Sequence, residues 1–191
     1  GAIQRSMITQ LVVSFDTQVV LAANGLRVRN RDTDQFVSLL VSSAIVSGNT
    51  VAKIQFSGSA SVIDRGQSIH PGAMVELPDS LADGNYELII EGSSITSTSS
   101  GFFVDAGKTG SMAGSNDIYG DQAVDHFYRL FGDDDGDRDI DALNNLLFRQ
   151  SLNTSFGNPR YRDFFDWDGD GDINSNDEIR FRQNLNKILG P

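Results

Sequence analysis

Asp133 opens a run of twelve residues, DDDGDRDIDALN, that returns 33 positions later at Asp166 as DWDGDGDINSND. Both runs place acidic or amide side chains at positions 1, 3, 5, 9 and 12. Oxygen donors at that spacing form the ligand set of a calcium loop, completed by the backbone carbonyl of position 7, because the ion is hard and takes roughly six to eight oxygens. Loop 1 offers Asp133, Asp135, Asp137, the carbonyl of Asp139, Asp141 and Asn144; loop 2 offers Asp166, Asp168, Asp170, the carbonyl of Asp172, Asn174 and Asp177. Two calcium ions are therefore expected.

The two loops are unequal. Gly171 at position 6 of loop 2 suits the left-handed turn needed there, whereas Arg138 occupies that position in loop 1 and should cost about 1 to 2 kcal/mol if the same turn is kept. Asn144 at position 12 lacks the charge and the second carboxylate oxygen of Asp177, so loop 1 is predicted to be the weaker site. Blocks of like charge are more often solvated tails. Matched register argues otherwise here, together with isoleucine at position 8 of each loop (Ile140 and Ile173), expected to point inward and pair with the partner loop. Without a cation the clustered carboxylates repel by about 1 kcal/mol per close pair in water, so the fold of this region should depend on metal.

The duplication reaches into the flanks that must position the loops. Tyr128-Arg129 returns as Tyr161-Arg162, Phe131 as Phe164, Phe148-Arg149-Gln150 as Phe181-Arg182-Gln183, and Leu152-Asn153 as Leu185-Asn186. Such self-similarity marks a repeated structural unit. Val124, Phe127, Tyr128 and Phe131 recur at helical spacing and predict a helix entering loop 1. Leu143, Leu146 and Leu147 begin an exiting helix that runs to about Gly157, Pro159 starts a short second entering helix, and Ile179, Leu185, Ile188 and Leu189 lie on the last one. Residues 122–191 thus read as an α-helical tandem module that resembles a dockerin type I module or an EF-hand pair. That resemblance implies a cohesin-like partner held by the exiting helices, at positions matching Ser175 and Asn176 in loop 2 and the symmetric pair Arg149 and Arg182 farther down. The matching positions of loop 1 are Ala142 and Leu143.

Residues 1–104 have a different texture. Short alternating runs, such as Leu11, Val13 and Phe15, then Ala52, Ile54 and Phe56, then Tyr86, Leu88 and Ile90, predict antiparallel strands of a β-sandwich. The segment Leu81-Ala-Asp-Gly-Asn-Tyr86 puts an Asp-Gly turn before a strand with a leucine and tyrosine at the spacing of a tyrosine corner. With the opening ITQLVVSFD, it resembles the bacterial immunoglobulin-like domains of large secreted and surface proteins. Residues 105–121, polar and glycine-rich, read as a linker. The expected architecture is all-β immunoglobulin-like sandwich, linker, helical calcium module.

Composition narrows the function classes. A formal net charge of −11 argues against nucleic acid, and with no cysteine neither disulfides nor thiol chemistry is available. No apolar stretch is long enough to span a membrane as a helix. The chain starts at Gly1 without methionine, which suggests a piece of a longer polypeptide whose export signal lies elsewhere. An enzyme is not expected: His70 and His126 have no signature serine or cysteine nearby, and most carboxylates of the last third are committed to metal. Carbohydrate binding by the sandwich is not favoured either, since it has no tryptophan, and Phe15, Phe36, Phe56, Phe102 and Phe103 read as core. Trp167, at position 2 of loop 2, either contacts a partner or packs over the neighbouring helix. The reading that emerges is a non-catalytic calcium-binding module of a secreted or cell-surface protein, docking a protein partner and tethering an upstream enzyme or adhesin. The alternative is a calcium-stapled structural cap with no dedicated partner.

Overall fold

The computed structural model describes residues 4–58, 62–63, 65, 67–70, 73–106, 114–120, 122, 125 and 127–190. The expectations placed on Val124, His126 and the His70 side chain lie outside the described residues. In chain order the strands begin with β1 (Gln10–Ser14), β2 (Val19–Leu21), β3 (Leu26–Asn30), β4 (Gln35–Val46) and β5 (Asn49–Ser57). They continue with β6 (Val62–Ile63), β7 (Gln67–His70), β8 (Ala73–Glu76), β9 (Ser80–Leu81), β10 (Gly84–Ile90), β11 (Ile95–Ser97), β12 (Asp117–Tyr119) and β13 (Phe127–Arg129). The last elements are α1 (Ala142–Ser151), β14 (Thr154–Ser155), β15 (Asp172–Ile173) and α2 (Ser175–Asn184). No helix among them is long and apolar enough to cross a membrane.

The chain divides into two compact units, each gathered from separated stretches: Gly1–Thr9, Ala60–Gly84 and Tyr128–Pro191 in unit 1, Gln10–Ser59 and Asn85–Phe127 in unit 2. Unit 2 is built on antiparallel strands in the order β1-β5-β4-β3-β10-β12, with β2 and β11 paired as a separate ribbon. Alternation predicts burial well on β5, where Ala52, Ile54 and Phe56 face the interior. It fails on β10, a central strand whose Tyr86, Glu87, Ile89 and Ile90 are all buried. The β4–β5 hairpin turns on Ser47 and Gly48, both at positive φ (51° and 87°), the geometry that matches the right-handed twist of the flanking strands.

The expected fold is corrected on several counts. A sandwich-like sheet is present, but the protein is predominantly β and shows no helical tandem module; the described residues form only two α-helices, of ten residues each. The helix expected before loop 1 is instead the strand β13, and only a single 3-10 turn at Asp163–Phe165 precedes loop 2. Tertiary partners explain the first difference. Leu130 N–H donates to the Arg5 carbonyl and Arg5 N–H to the Asp133 carbonyl, so the backbone groups around β13 find partners in the N-terminal segment that a helix would have supplied internally. The exiting helices also stop early, at Ser151 and Asn184, because Asn153 and Asn186 adopt left-handed φ values of 60° and 65° and the chain leaves to pair elsewhere. Within the stretch read as a linker, Asp117–Tyr119 forms strand β12. Of the phenylalanines expected in the core, Phe56 is buried and Phe15 partly so, whereas Phe36, Phe102 and Phe103 are exposed.

Candidate metal centre

Each acidic loop of unit 1 leads into a helix that the loop itself caps. Asp141 accepts hydrogen bonds from Leu143 N and Asn144 N at the start of α1, and Asn144 Oδ1 accepts from Asp141 N in return. Asn174 and Asp177 repeat this reciprocal box on α2. Such boxes satisfy amides that the first helical turn leaves without partners, typically about 1 kcal/mol per cap. One face of each helix then turns inward at matching positions: Asn144, Phe148 and Ser151 on α1, Asp177, Phe181 and Asn184 on α2. Phe148 and Phe181 stack at 4.2 Å between centroids, and Phe165 meets both edge-on. Ile140 and Ile173 at loop position 8 are fully buried in the same core.

Among the described residues no backbone hydrogen bond joins position 8 of one loop to the other loop. Ile140 N–H donates to the Lys187 carbonyl and Asn186 N–H to the Ile140 carbonyl, while Asn153 N–H donates to the Ile173 carbonyl. Each loop is thus laced to the segment that follows the other loop's helix.

The metal-facing groups gather at the first residue of each loop. Asp133 is fully buried; its Oδ1 accepts from Gly136 N at 2.5 Å, and its Oδ2 from the Tyr128 hydroxyl at 2.8 Å and Arg138 N at 3.2 Å. Asp166, equally buried, repeats the pattern with Gly169 N at 2.8 Å, the Tyr161 hydroxyl at 2.6 Å and Gly171 N at 3.0 Å. The two tyrosines occupy matching positions of the repeat, where sequence alone carries no signal of their bond to the aspartates. Burial and the neighbouring carboxylate raise both phenol pKa values, so each hydroxyl stays protonated and donates. Position 6 keeps the left-handed turn in both loops, at φ 76° for Arg138 and 89° for Gly171. The arginine recovers part of that strain: Nε and Nη2 donate to the carbonyls of Leu189 and Gly190, and its guanidinium lies 4.2 Å from the Tyr128 ring centroid.

Carboxylate oxygens of Asp133, Asp135 and Asp137 lie within 4.8 Å of one another, and so do those of Asp166, Asp168 and Asp177. Each of these clusters could hold a metal ion. The donors are oxygen throughout, which suits a hard cation and not a thiophilic one. Burial raises the pKa of Asp133 and Asp166, and pushes Asp177 up to about 7 even though Trp167 N and Asn174 N donate to it. None of the ion pairs among the described residues involves either cluster. Arg65 bears on Asp166 through its charge, yet burial still raises that carboxyl, and a cation would add the positive charge that the clustered acids lack.

The remaining candidate ligands stand differently. Asp141 and Asn174 spend a side-chain oxygen on helix capping, and Asp170 Oδ2 accepts from Asn174 Nδ2. Asn144 turns its amide nitrogen toward Asp134 and Asp135, at 2.8 and 3.4 Å, so its donor side faces the acids of loop 1. Asp139 lies in an isolated bridge to Ile188, and Asp172 pairs with Ser155 in the β14–β15 ladder. Ser175, Asn176, Arg149 and Arg182 are all exposed on or beside the helices. Trp167 is half-buried beneath the Arg180 guanidinium, 4.3 Å from its ring, and packs against the core that α2 helps to form.

Residues outside both loops hold them in place. Arg65, nearly buried, donates to the Asp166 carbonyl, the counterpart of the Arg5 contact at Asp133. Asp83, read from sequence as a turn residue, accepts from Arg129 Nη1 at 2.6 Å, Phe131 N at 2.7 Å and Asn184 Nδ2 at 2.7 Å. No spacing signal could have linked Asp83 to residues so far along the chain.

No family model, curated protein or solved structure matches the chain. The resemblances to a dockerin type I or EF-hand module and to a bacterial immunoglobulin-like domain are therefore set aside, because neither the comparisons nor a mostly β structure with two short helices supports them.

Proposed function

We propose that this chain is a non-catalytic calcium-binding module of a larger secreted or cell-surface protein, in which two calcium ions fasten unit 1 and thereby order a helix pair that docks a protein partner. The observation that carries the reading is the duplicated buried aspartate, Asp133 and Asp166, each held by a tyrosine hydroxyl and two backbone amides while further carboxylates crowd against it. Desolvating an anion beside other anions is costly unless a cation shares the site. Extracellular calcium modules operate at roughly 0.1 to 1 mM ion, a range that two shallow, acid-rich loops are suited to. Support for docking comes from the outer helix faces, where Leu143, Leu146 and Ile179 are exposed beside Arg149 and Arg182. Between the helices lies a groove of about 310 Å³ lined by symmetry-matched pairs, including Phe148 with Phe181 and Arg149 with Arg182.

Titration of metal-free protein with calcium should show a stronger and a weaker event, and Asp166→Ala should abolish the stronger one while the circular dichroism of unit 2 persists. A flat titration, or one unaffected by Asp166→Ala, removes the calcium reading. For docking, the double variant Leu146→Asp and Ile179→Asp should keep both calcium events and lose calcium-dependent retention of a partner on the immobilised chain. Unchanged retention would move the docking surface off these helix faces, and a chain that retains no partner in calcium would leave the structural-cap reading in its place.

A further inference from the structure

Ser6 is fully buried, and its hydroxyl makes two hydrogen bonds within unit 1 to residues far apart in the chain. It accepts from Gly132 N at 2.9 Å and donates to the Phe164 carbonyl at 2.7 Å. These contacts fall at matching places in the repeat, because Phe131-Gly132 runs into Asp133 as Phe164-Phe165 runs into Asp166. One hydroxyl therefore ties together the entrances of both acidic loops. Its neighbour Arg5 adds to the hold on loop 1: Arg5 N–H donates to the Asp133 carbonyl, and the Arg5 carbonyl accepts from Leu130 N. On the loop 2 side, Phe164 belongs to the 3-10 turn whose Asp163 carbonyl accepts from Asp166 N. Gly132 has little room to slip. It sits at φ 108°, with Phe181 and Ile140 only 3.0 and 3.1 Å from where a Cβ would stand, so the loop 1 entrance is pressed against the buried face of α2.

We infer that Ser6 couples the two loops, so that calcium held in one raises the affinity of the other; the inference rests on the calcium reading above. Asp133 and Asp166 each present a carboxylate at position 1, and its aim is set by the backbone just before it. In loop 1 that backbone is Gly132, in loop 2 it is Phe164-Phe165, and Ser6 is bonded to both. Two entrances in the same setting keep both bonds. An entrance that resets alone leaves a buried donor or acceptor without a partner, because no water reaches the enclosed hydroxyl. That penalty differs between matched and mismatched loops, which is the differential interaction a coupling between sites requires. Both side-chain bonds go to backbone atoms outside the ligand set, so Ser6 is a positioning residue. The aromatic contacts of Phe148, Phe165 and Phe181 also join the repeats, but they do not involve Ser6, which makes its share separable.

The test titrates the full chain with calcium, read by calorimetry and by Trp167, the only tryptophan and position 2 of loop 2. Asp135→Ala with Asp137→Ala disables loop 1 through two exposed ligands and leaves Asp133 with its hydrogen bonds in place. Loop 2 should then bind calcium about fivefold to tenfold more weakly. In a Ser6→Ala background the same two substitutions should change loop 2 affinity by less than about twofold. A residue that merely props up the fold would weaken loop 2 equally with and without loop 1, so the difference between the two backgrounds isolates coupling. Ser6→Cys, close in shape and a weaker hydrogen-bonding group, should fall between them and serves if Ser6→Ala does not fold. Loop 2 affinity that ignores the loss of loop 1, or a coupling factor that neither Ser6 variant changes, overturns the inference while leaving calcium binding intact. A flat titration of the unmodified chain removes the calcium reading and this inference with it.

Discussion

Asp83→Ala removes one carboxylate shared by two separated parts of unit 1, Arg129–Phe131 and the end of α2. Its Oδ1 receives Arg129 Nη1 and Phe131 N, and its Oδ2 receives Asn184 Nδ2 from the last turn of α2. The Arg129 guanidinium is 1% exposed and Asp83 24%, so the pair is screened on one side only. Deleting one partner of a buried ion pair costs about 3 to 5 kcal/mol, and partial exposure of Asp83 places this case near 3. Loss of the acceptor for the Phe131 amide adds about 1 kcal/mol, and because the contacts are coupled the sum is not fully additive. A total of roughly 3 to 4 kcal/mol is a large fraction of the 5 to 15 kcal/mol typical of a domain. Urea unfolding in saturating calcium, followed by the fluorescence of Trp167, reads unit 1 selectively because that residue is the only tryptophan. Asp83→Asn, which keeps an oxygen acceptor and loses the charge, should cost about half as much. A loss below about 1 kcal/mol for Asp83→Ala would refute the account of how residues 60–84 hold the loops.

Two further predictions concern the loops. Arg138→Gly removes a positive side chain from loop 1 and places a residue at φ 76° that adopts it freely, so the weaker calcium event should tighten by about fivefold to tenfold in calorimetry, while the Leu189–Gly190 tail loses its anchor; an unchanged or looser event contradicts the strain argument. The pH dependence should reverse with metal. In the metal-free chain burial raises Asp177 from 3.8 to about 7, and Asp133 and Asp166 move in the same direction. A raised folded pKa stabilises below the unfolded value and loses that stabilisation as pH climbs through the folded one, so metal-free protein should melt at a lower temperature at pH 8 than at pH 5. With calcium, which binds the deprotonated carboxylates, stability should instead rise over the same interval. Parallel slopes in the two melting series would disprove it.

The local chemistry of the site was legible because it is carried by short spacings. The acidic register, the glycine turn at Gly171 and the strained turn at Arg138 all involve residues within twelve positions of one another, whereas the capping pairs Asp141–Asn144 and Asn174–Asp177, read from sequence only as metal ligands, emerged with the structure. The helix expected at Val124–Phe131 shows where that legibility stops. Its apolar spacing fits a helix, yet what its backbone amides and carbonyls pair with is settled by Arg5 and Ser6, more than a hundred residues upstream. Periodicity reports which side of an element is apolar and says nothing about an element's hydrogen-bonding partners.

From the amino-acid order alone came two oxygen-rich loops of unequal quality and the helices that leave them, because turns and metal ligands are short-range chemistry. The tertiary structure decided that among the described residues no α-helix enters those loops, that each loop is laced to the segment following the other loop's helix, and that Asp83 and Arg65 belong to the same unit as the loops. Backbone groups must be paired wherever water is excluded, and which distant segment arrives to pair them depends on how the whole chain closes, a property no local window contains.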